Sequence, residues 1–366
     1  MASLVSEDQV LDALRPIQDP DFNQNIVDLG FVKNIKIDGE HVAFEIELTT
    51  PACPIKAEFE QAARERVGAL EGVGDVSVTM TSNTRQAAAS IKEKLVLPGV
   101  RNILAVASGK GGVGKSTTAL NLALSMQQSG AQVGLLDADV YGPSLPLITG
   151  VNGRPETTSN QRIIPLEGFG LKLMSMGFFL TEDSPVIWRG PMVHGLIKQF
   201  LTDVAWGELD YLIVDLPPGT GDAALTLTQM APLSGAVIVT TANDLSLIDA
   251  RKGLQMFKKV SVPVVGIVEN MSYFTPPELP DKKYYLFGRD GGKRVAEELG
   301  VEFLGEVPID PRMADYGDRG EPITVVAPDS PTAQAFKEIS GTVVRRLATL
   351  SGQLASTAEA DITWVS

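Results

Sequence analysis

Two rhythms of apolar and polar positions run along this chain, and one gives way to the other near residue 82. Ahead of that point, Ser6 and Gln9 are spaced as a capping box in front of VLDALR, which predicts a short amphipathic helix closed by Pro16. FVKNIKI and HVAFEIEL alternate on either side of Asp38-Gly39-Glu40, the pattern of a β-hairpin with a glycine in its turn. TTPACP leads into a helical stretch, IKAEFEQAARERVGAL, and beyond Gly72 and Gly74 comes another alternating strand, DVSVTMT. Residues 1–81 therefore predict a small α+β domain. Residues 82–98 are polar and Ala-rich until they meet a Pro-Gly, as an inter-domain linker would be.

Residues 99–350 follow the second rhythm. ILAVA, QVGLLDAD, LKLMSM, YLIVDLPP, GAVIVTTA, PVVGIVEN and EFLGEVP are short, mostly continuous apolar runs separated by helix-length stretches. Strands buried on both faces read this way, so the expected fold is α/β, a doubly wound, mostly parallel sheet whose site lies at the carboxyl ends of its strands. PTAQAFKEISGTVVRRLATL reads as a closing amphipathic helix, and residues 351–366, without periodicity, as a loose tail.

Composition narrows the class. Of 366 residues, 44% are hydrophobic and 21% charged, a globular balance that excludes a disordered polyelectrolyte or a collagen-like fibre. Lys and Arg number 31 against 45 Asp and Glu, a net charge of −14. That field opposes sequence-independent binding to a nucleic-acid backbone and leaves room for a local basic site around a small phosphate ligand. No run approaches the ~20 apolar residues that span a bilayer. MASLVSEDQVLDALRP has neither the features of a secretory signal nor those of a transit peptide. The expectation is a cytoplasmic protein with no nucleic-acid or membrane partner. Cys53, the only cysteine, excludes an intrachain disulfide framework and any cluster site built from several cysteines of one chain.

Candidate chemistry begins directly after ILAVA, where Ser108-Gly-Lys-Gly-Gly-Val-Gly-Lys-Ser-Thr117 satisfies G-x-x-x-x-G-K-S/T. The backbone N–H groups of Gly109, Lys110, Gly111, Gly112, Val113 and Gly114 would wrap a polyphosphate, with glycine required because side chains would block the approach. A helix starting near Lys115 and running through Thr117 adds its positive end. Lys115 reaches the outer phosphates, and the Ser116 hydroxyl completes magnesium coordination, so ATP and Mg2+ are the expected ligands. QVGLLDAD then sets Asp137 and Asp139 at a strand end, Asp139 being the candidate that positions the attacking water. YLIVD ends in Asp215, the pattern of a Walker B carboxylate in the metal's shell, with Gly219 and Gly221 loosening the backbone that follows. A strand-end Asp serves equally as an N-cap or turn residue.

GKGGVGKST, with Lys110 beside its first glycine, resembles the signature of the MinD/ParA and nitrogenase-iron-protein class, in which that lysine contacts nucleotide across a dimer interface. The resemblance implies a nucleotide-sandwich homodimer with Lys110 acting in trans, as arginine fingers do for effects of ~10³–10⁵ in rate. GKGGVGKSTTALNLA, DADVYGPS, VIWRGPMV, YLIVDLPPGTGD and ENMSYF together closely resemble the Mrp/ApbC family of P-loop ATPases, which carry iron–sulfur clusters, over about residues 98–345. DPDFNQNIVDLGFV and TTPACP are similar to the small iron–sulfur-assembly domain often fused in front of that family. The resemblance implies slow ATP hydrolysis, apoprotein targets and assembly factors as partners, and an Asn270 that hydrogen-bonds adenine, where the residue alone also reads as a turn former.

One departure stands out against the resemblance. Most of the family carries a C-x-x-C after ENMSYF, two such pairs bridging one 4Fe–4S cluster across the dimer; here that segment, from Phe274 to Lys283, has no cysteine. Four thiolates are the usual requirement, and a dimer of this chain supplies two, both Cys53, so any bound cluster needs non-standard ligation. Cys53, ahead of a helix N-terminus, reads either as a ligand or transfer thiol or as a small buried residue. His41 and His194 stand isolated and read as structural. Two further functions fit the same ATPase: a ParA/MinD-like positioning switch, which would want a membrane helix or basic face that STAEADITWVS does not supply, and an adaptor in iron–sulfur assembly that holds no cluster itself.

Overall fold

Alternation in HVAFEIEL makes one face of a strand apolar, and that face is where the smaller sheet is buried. The computed structural model describes residues 5–20, 22–84, 97–180 and 190–362, with the backbone alone for 190–191 and 352–362. The chain divides into two compact units, Met1–Arg85 with Val344–Ser366, and Gln86–Val343.

In the first unit, α1 (Glu7–Leu14) opens on the expected capping box, Ser6 and Gln9 each satisfying the other's backbone N–H. A two-residue pair, β1 (Gln18–Asp19) and β2 (Gln24–Asn25), precedes β3 (Val32–Asp38) and β4 (His41–Leu48), which pair antiparallel around the Gly39-Glu40 turn. After α2 (Lys56–Gly68), β5 (Asp75–Ser82) returns parallel to β4, giving the order β3-β4-β5. Val42, Phe44, Ile46 and Leu48 alternate into a core closed by Phe59, Ala63 and Val67 of α2 and by Val10 and Leu14 of α1. Periods of two and of about four thus meet across one interface, each large side chain contributing ~1.5–3 kcal/mol of burial.

The second unit holds an eight-stranded sheet in the order β13-β12-β11-β6-β10-β7-β9-β8. In chain order its elements are β6 (Val100–Ser108), α3 (Lys115–Gln128), β7 (Val133–Asp137), α4 (Leu145–Thr149), β8 (Leu166–Gly168), β9 (Leu171–Ser175), α5 (Gly190–Thr202) and β10 (Leu209–Asp215). There follow α6 (Asp222–Met230), β11 (Gly235–Thr240), α7 (Asp244–Lys259), β12 (Val264–Glu269), α8 (Gly291–Leu299), β13 (Phe303–Glu306), α9 (Arg312–Asp318), α10 (Ile323–Val326) and α11 (Pro331–Ile362), of which the residues from Val344 onward are grouped with the first unit. Every residue of β7, β10 and β11 is buried, which is why those runs are apolar without alternation. The seven apolar runs form the parallel part of the sheet, and β8 adds an antiparallel edge that the sequence did not signal, being three residues folded back through a left-handed Gly170.

The carboxyl terminus differs from expectation. Helix α11 continues to Ile362, where a loose tail was expected from Ser351. Ala, Gln, Leu and Glu in SGQLASTAEADI favour helix by backbone propensity, and that signal is separate from hydrophobic periodicity. Of the expected linker, residues 85–96 lie outside the described residues, as does the VIWR part of VIWRGPMV.

Candidate functional site

The last residue of β6 and the first of α3 are joined by residues 109–114, at the middle of the sheet where neighbouring strands diverge. Gly112 and Gly114 take left-handed φ of 78° and 79°, and the Thr118 N–H and hydroxyl both return to the Gly114 carbonyl at 2.9 and 2.8 Å. The glycines turn out to be needed for different reasons. A Cβ on Gly111 or Gly112 would meet open space, as a surface meant for phosphate requires. On Gly109 it would collide with the backbone of Asp249 in α7, and on Gly114 with the Asn270 amide. A cavity of about 250 Å³ opens over this loop, lined by Lys110, Lys115, Ser116, Thr117 and Asp139 among others.

Beneath the loop lies a buried ion pair. Lys115 Nζ donates to Asp215 Oδ1 at 2.5 Å, with side chains only 7% and 3% exposed. Strand register sets Asp215 of β10 beside Asp137 of β7. Burial, and then the Asp215 charge, push the Asp137 carboxyl up to about 7, with bonds from Leu145 N–H and the Ser175 hydroxyl working against that rise. Burial also raises Asp215, while the Lys115 ammonium and the Ser116 hydroxyl pull it back. Ser116 and Asp215 thus sit together as hard oxygen donors below the phosphate cradle, a set that fits magnesium.

Asp139 stands between two cavities, the one over the loop and a larger one of about 850 Å³ whose walls include Tyr141, His194 and Pro218. Its Oδ1 accepts the Gly142 N–H at 3.2 Å. Lys110, half-buried, lines the cavity over the loop and makes no ion pair among the described residues; its carbonyl accepts the Ser108 hydroxyl at 2.9 Å. Gly219 N–H bonds the Ser108 carbonyl at 2.8 Å, tying the PPGTGD loop to the same strand end. Asn270 is buried, and its Nδ2 donates to the Val113 carbonyl at 2.8 Å, so it braces the phosphate loop from β12.

Cys53 belongs to the first unit, half-buried against that unit's core, with its carbonyl accepting the Lys56 N–H. His41 pairs with Asp75 at 2.9 Å, and His194 is solvent-facing. Among the described residues no group of three or more His, Cys, Asp and Glu is arranged to hold a metal. The cysteine-free stretch after ENMSYF is held by other means. Phe274 and Tyr284 exchange backbone hydrogen bonds at 2.8 Å, and the Lys283 ammonium lies 3.7 Å from the centre of the Tyr273 ring. Sequence reasoning missed Glu269, fully buried, which accepts the Gly292 N–H and the Ser272 hydroxyl, both at 2.6 Å. It also missed Ser175, whose signal was only a serine ending an apolar run.

A glycine cradle between a central strand and a helix, with a lysine in that helix's first turn paired to a carboxylate on the adjacent strand end, defines a P-loop nucleotide-binding protein. More specifically, the chain belongs to the family described as NUBPL iron-transfer P-loop NTPase, whose profile matches residues 99–344. Residues 7–80 match the family described as iron-sulfur cluster assembly protein. The chain is 49% identical to an iron-sulfur cluster carrier protein of Synechocystis sp., over 93% of this chain and 98% of that protein. It is 46% identical to the chloroplastic Fe-S cluster assembly factor HCF101 of Arabidopsis thaliana, over 96% of this chain and 66% of that protein. An ADP complex of a nucleotide-binding protein from Archaeoglobus fulgidus aligns with TM-score 0.56 and 39% identity, covering 65% of this chain and 92% of that one. The cell-division ATPase MinD of Pyrococcus furiosus shares the fold, at TM-score 0.50 and 21% identity over 66% of this chain and 98% of its own.

Proposed function

We propose that this protein is a homodimeric, magnesium-dependent ATPase of the cytoplasm that turns over slowly and carries iron–sulfur clusters to apoproteins. The observation that carries the nucleotide half is the buried Lys115–Asp215 pair beneath the open backbone of Gly111 and Gly112. Phosphate draws Lys115 upward, the loop N–H groups and Thr117 hold the chain of phosphates, and Asp139 orients the water for attack. Magnesium, when bound at Ser116 and Asp215, neutralises charge on the terminal phosphates. Lys110, which makes no ion pair among the described residues, is available to the nucleotide of a second protomer, and Asn270, bonded through its Nδ2 to the loop, is the residue proposed to meet the base through its Oδ1. The cluster half is supported by likeness to the Synechocystis carrier over 93% of the chain.

Turnover of ATP with and without magnesium tests the first half: Lys115→Ala that keeps full magnesium-dependent hydrolysis would sink it. Anaerobic reconstitution, with iron and sulfide counted per dimer for the wild type and Cys53→Ser, tests the second. The single cysteine favours one other reading, an adaptor that dimerises on nucleotide and recruits assembly factors without holding metal. Wild type that binds no cluster selects the adaptor; wild type that binds one and loses it in Cys53→Ser makes Cys53 a ligand.

A further inference from the structure

We infer that Ser175 is a positioning residue for hydrolysis: its buried hydroxyl, acting through Asp137, fixes the loop that carries Asp139. The inference rests on the ATPase reading above for its kinetic part. Asp137 and Ser175 are register partners on β7 and β9, and Asp137 and Asp215 are partners on β7 and β10, so three strand ends stand abreast at the floor of the site. Asp215 is engaged with Lys115, and Asp137 is engaged elsewhere. Its Oδ1 accepts the Asp139 N–H at 3.1 Å, and its Oδ2 accepts the Ser144 and Leu145 N–H groups at 3.1 and 3.3 Å. One carboxylate therefore gathers both ends of the segment 139–145. Three donors of the segment converge on this one side chain at the end of β7, so where that carboxyl group points decides where the segment sits.

Ser175 holds that side chain from the neighbouring strand. Its Oγ donates to Asp137 Oδ2 at 3.0 Å, and among the described residues it is the donor to that carboxylate from outside the segment. The residue is fully buried, and its oxygen in turn accepts the Gly177 N–H at 3.0 Å, which fixes the direction in which its proton points. A hydroxyl on the short arm of a fully buried residue that is register-paired with Asp137 itself is a stiff reference point. Asp139, two residues beyond Asp137, inherits that placement. Displacements near 1 Å of a group that orients a reactant cost ~10²-fold in rate, so a lost anchor is read in turnover rather than in nucleotide affinity.

The test compares wild type, Ser175→Ala, Ser175→Thr, Asp139→Asn and the Ser175→Ala/Asp139→Asn double variant in the full chain. Ser175→Ala is expected to lower kcat at least tenfold with KM for ATP within twofold, and Ser175→Thr, which keeps the hydroxyl, to recover most of the loss. The double variant should be no slower than Asp139→Asn alone within twofold, because a residue acting through Asp139 has nothing to add once that carboxylate is gone. A kcat within twofold of wild type in Ser175→Ala, or multiplicative losses in the double variant, overturns the inference. Should wild type show no turnover at all, the ATPase reading is what fails, and hydrogen exchange then judges Ser175 alone. Faster exchange at the Ser144 and Leu145 amides in Ser175→Ala, with α3 unchanged, supports the anchor, and unchanged exchange there overturns it.

Discussion

Removing one member of the Lys115–Asp215 pair should unsettle the nucleotide-free protein well before any assay of function is run. Both side chains are almost wholly out of water, 7% and 3% exposed, and the bond is 2.5 Å. Breaking a buried pair from one side costs ~3–5 kcal/mol, because the survivor is left desolvated without its counter-charge. At ~2–4 °C per kcal/mol for a unit of this size, the melting temperature should fall by roughly 6–20 °C. The two single variants should differ. Lys115→Met leaves Asp215 beside Asp137, two carboxylates on register-paired strand ends, whereas Asp215→Asn leaves one ammonium near one carboxylate. Lys115→Met should therefore melt lower. Its deficit should shrink as pH falls from 8 to 5.5, since a carboxyl that loses its cation escapes the penalty by taking a proton. The double variant, Lys115→Met with Asp215→Asn, should recover at least half of the larger loss. Thermal melts by circular dichroism in chelator, without nucleotide, provide the measurement. A Lys115→Met protein that melts within 2 °C of wild type at pH 8 would refute the reasoning and mean that the pair does not form in the free protein.

Glycine replacements separate packing from ligand approach. Gly109→Ala and Gly114→Ala meet the Asp249 backbone and the Asn270 amide and should lose at least ~2 kcal/mol in urea unfolding, while Gly111→Ala, facing open space, should unfold like wild type and fail only in nucleotide binding. The Asp137 carboxyl, raised from an ordinary 3.8 to about 7, makes the folded chain bind more protons than the unfolded one between those values. Its contribution therefore falls as pH climbs from about 4 through 7, by no more than ~4 kcal/mol, and Asp137→Asn should flatten that slope in nucleotide-free melts whatever it does to absolute stability. For Lys110→Ala, equilibrium nucleotide binding should stay within threefold while ATP-dependent dimerisation, read by sedimentation, weakens and turnover drops ~10²-fold or more. Unchanged turnover there would remove the role in trans.

Much of the fold could be read in the chain because it was written locally. The capping box of Ser6 and Gln9, the turn at Gly39 and the unbroken apolar runs of β7, β10 and β11 each rest on neighbours within a few residues. The P-loop was legible for the same reason. What escaped depends on contacts between elements far apart in sequence. Lys115 and Asp215 are 100 residues apart, and Ser175 meets Asp137 across 38, so no spacing rule could have paired them. The reasons for Gly109 and Gly114 escaped likewise, because the atoms they make room for come from α7 and the end of β12. In the α11 extension, propensity without periodicity was enough for helix, and a search for amphipathic stripes is blind to it.

In the ion pair under the phosphate loop, the cradle is guarded by its own counter-ion. A polyphosphate that arrives alone must take Lys115 from Asp215, and so strand a buried carboxylate next to Asp137. A divalent cation that arrives alone must coordinate Asp215 while an ammonium still occupies it. Either ligand undoes the work of the other's absence, so each should raise the affinity of its companion by the same factor. The expected consequence is positive coupling between nucleotide and divalent cation, seen as a tighter nucleotide Kd in magnesium than in chelator.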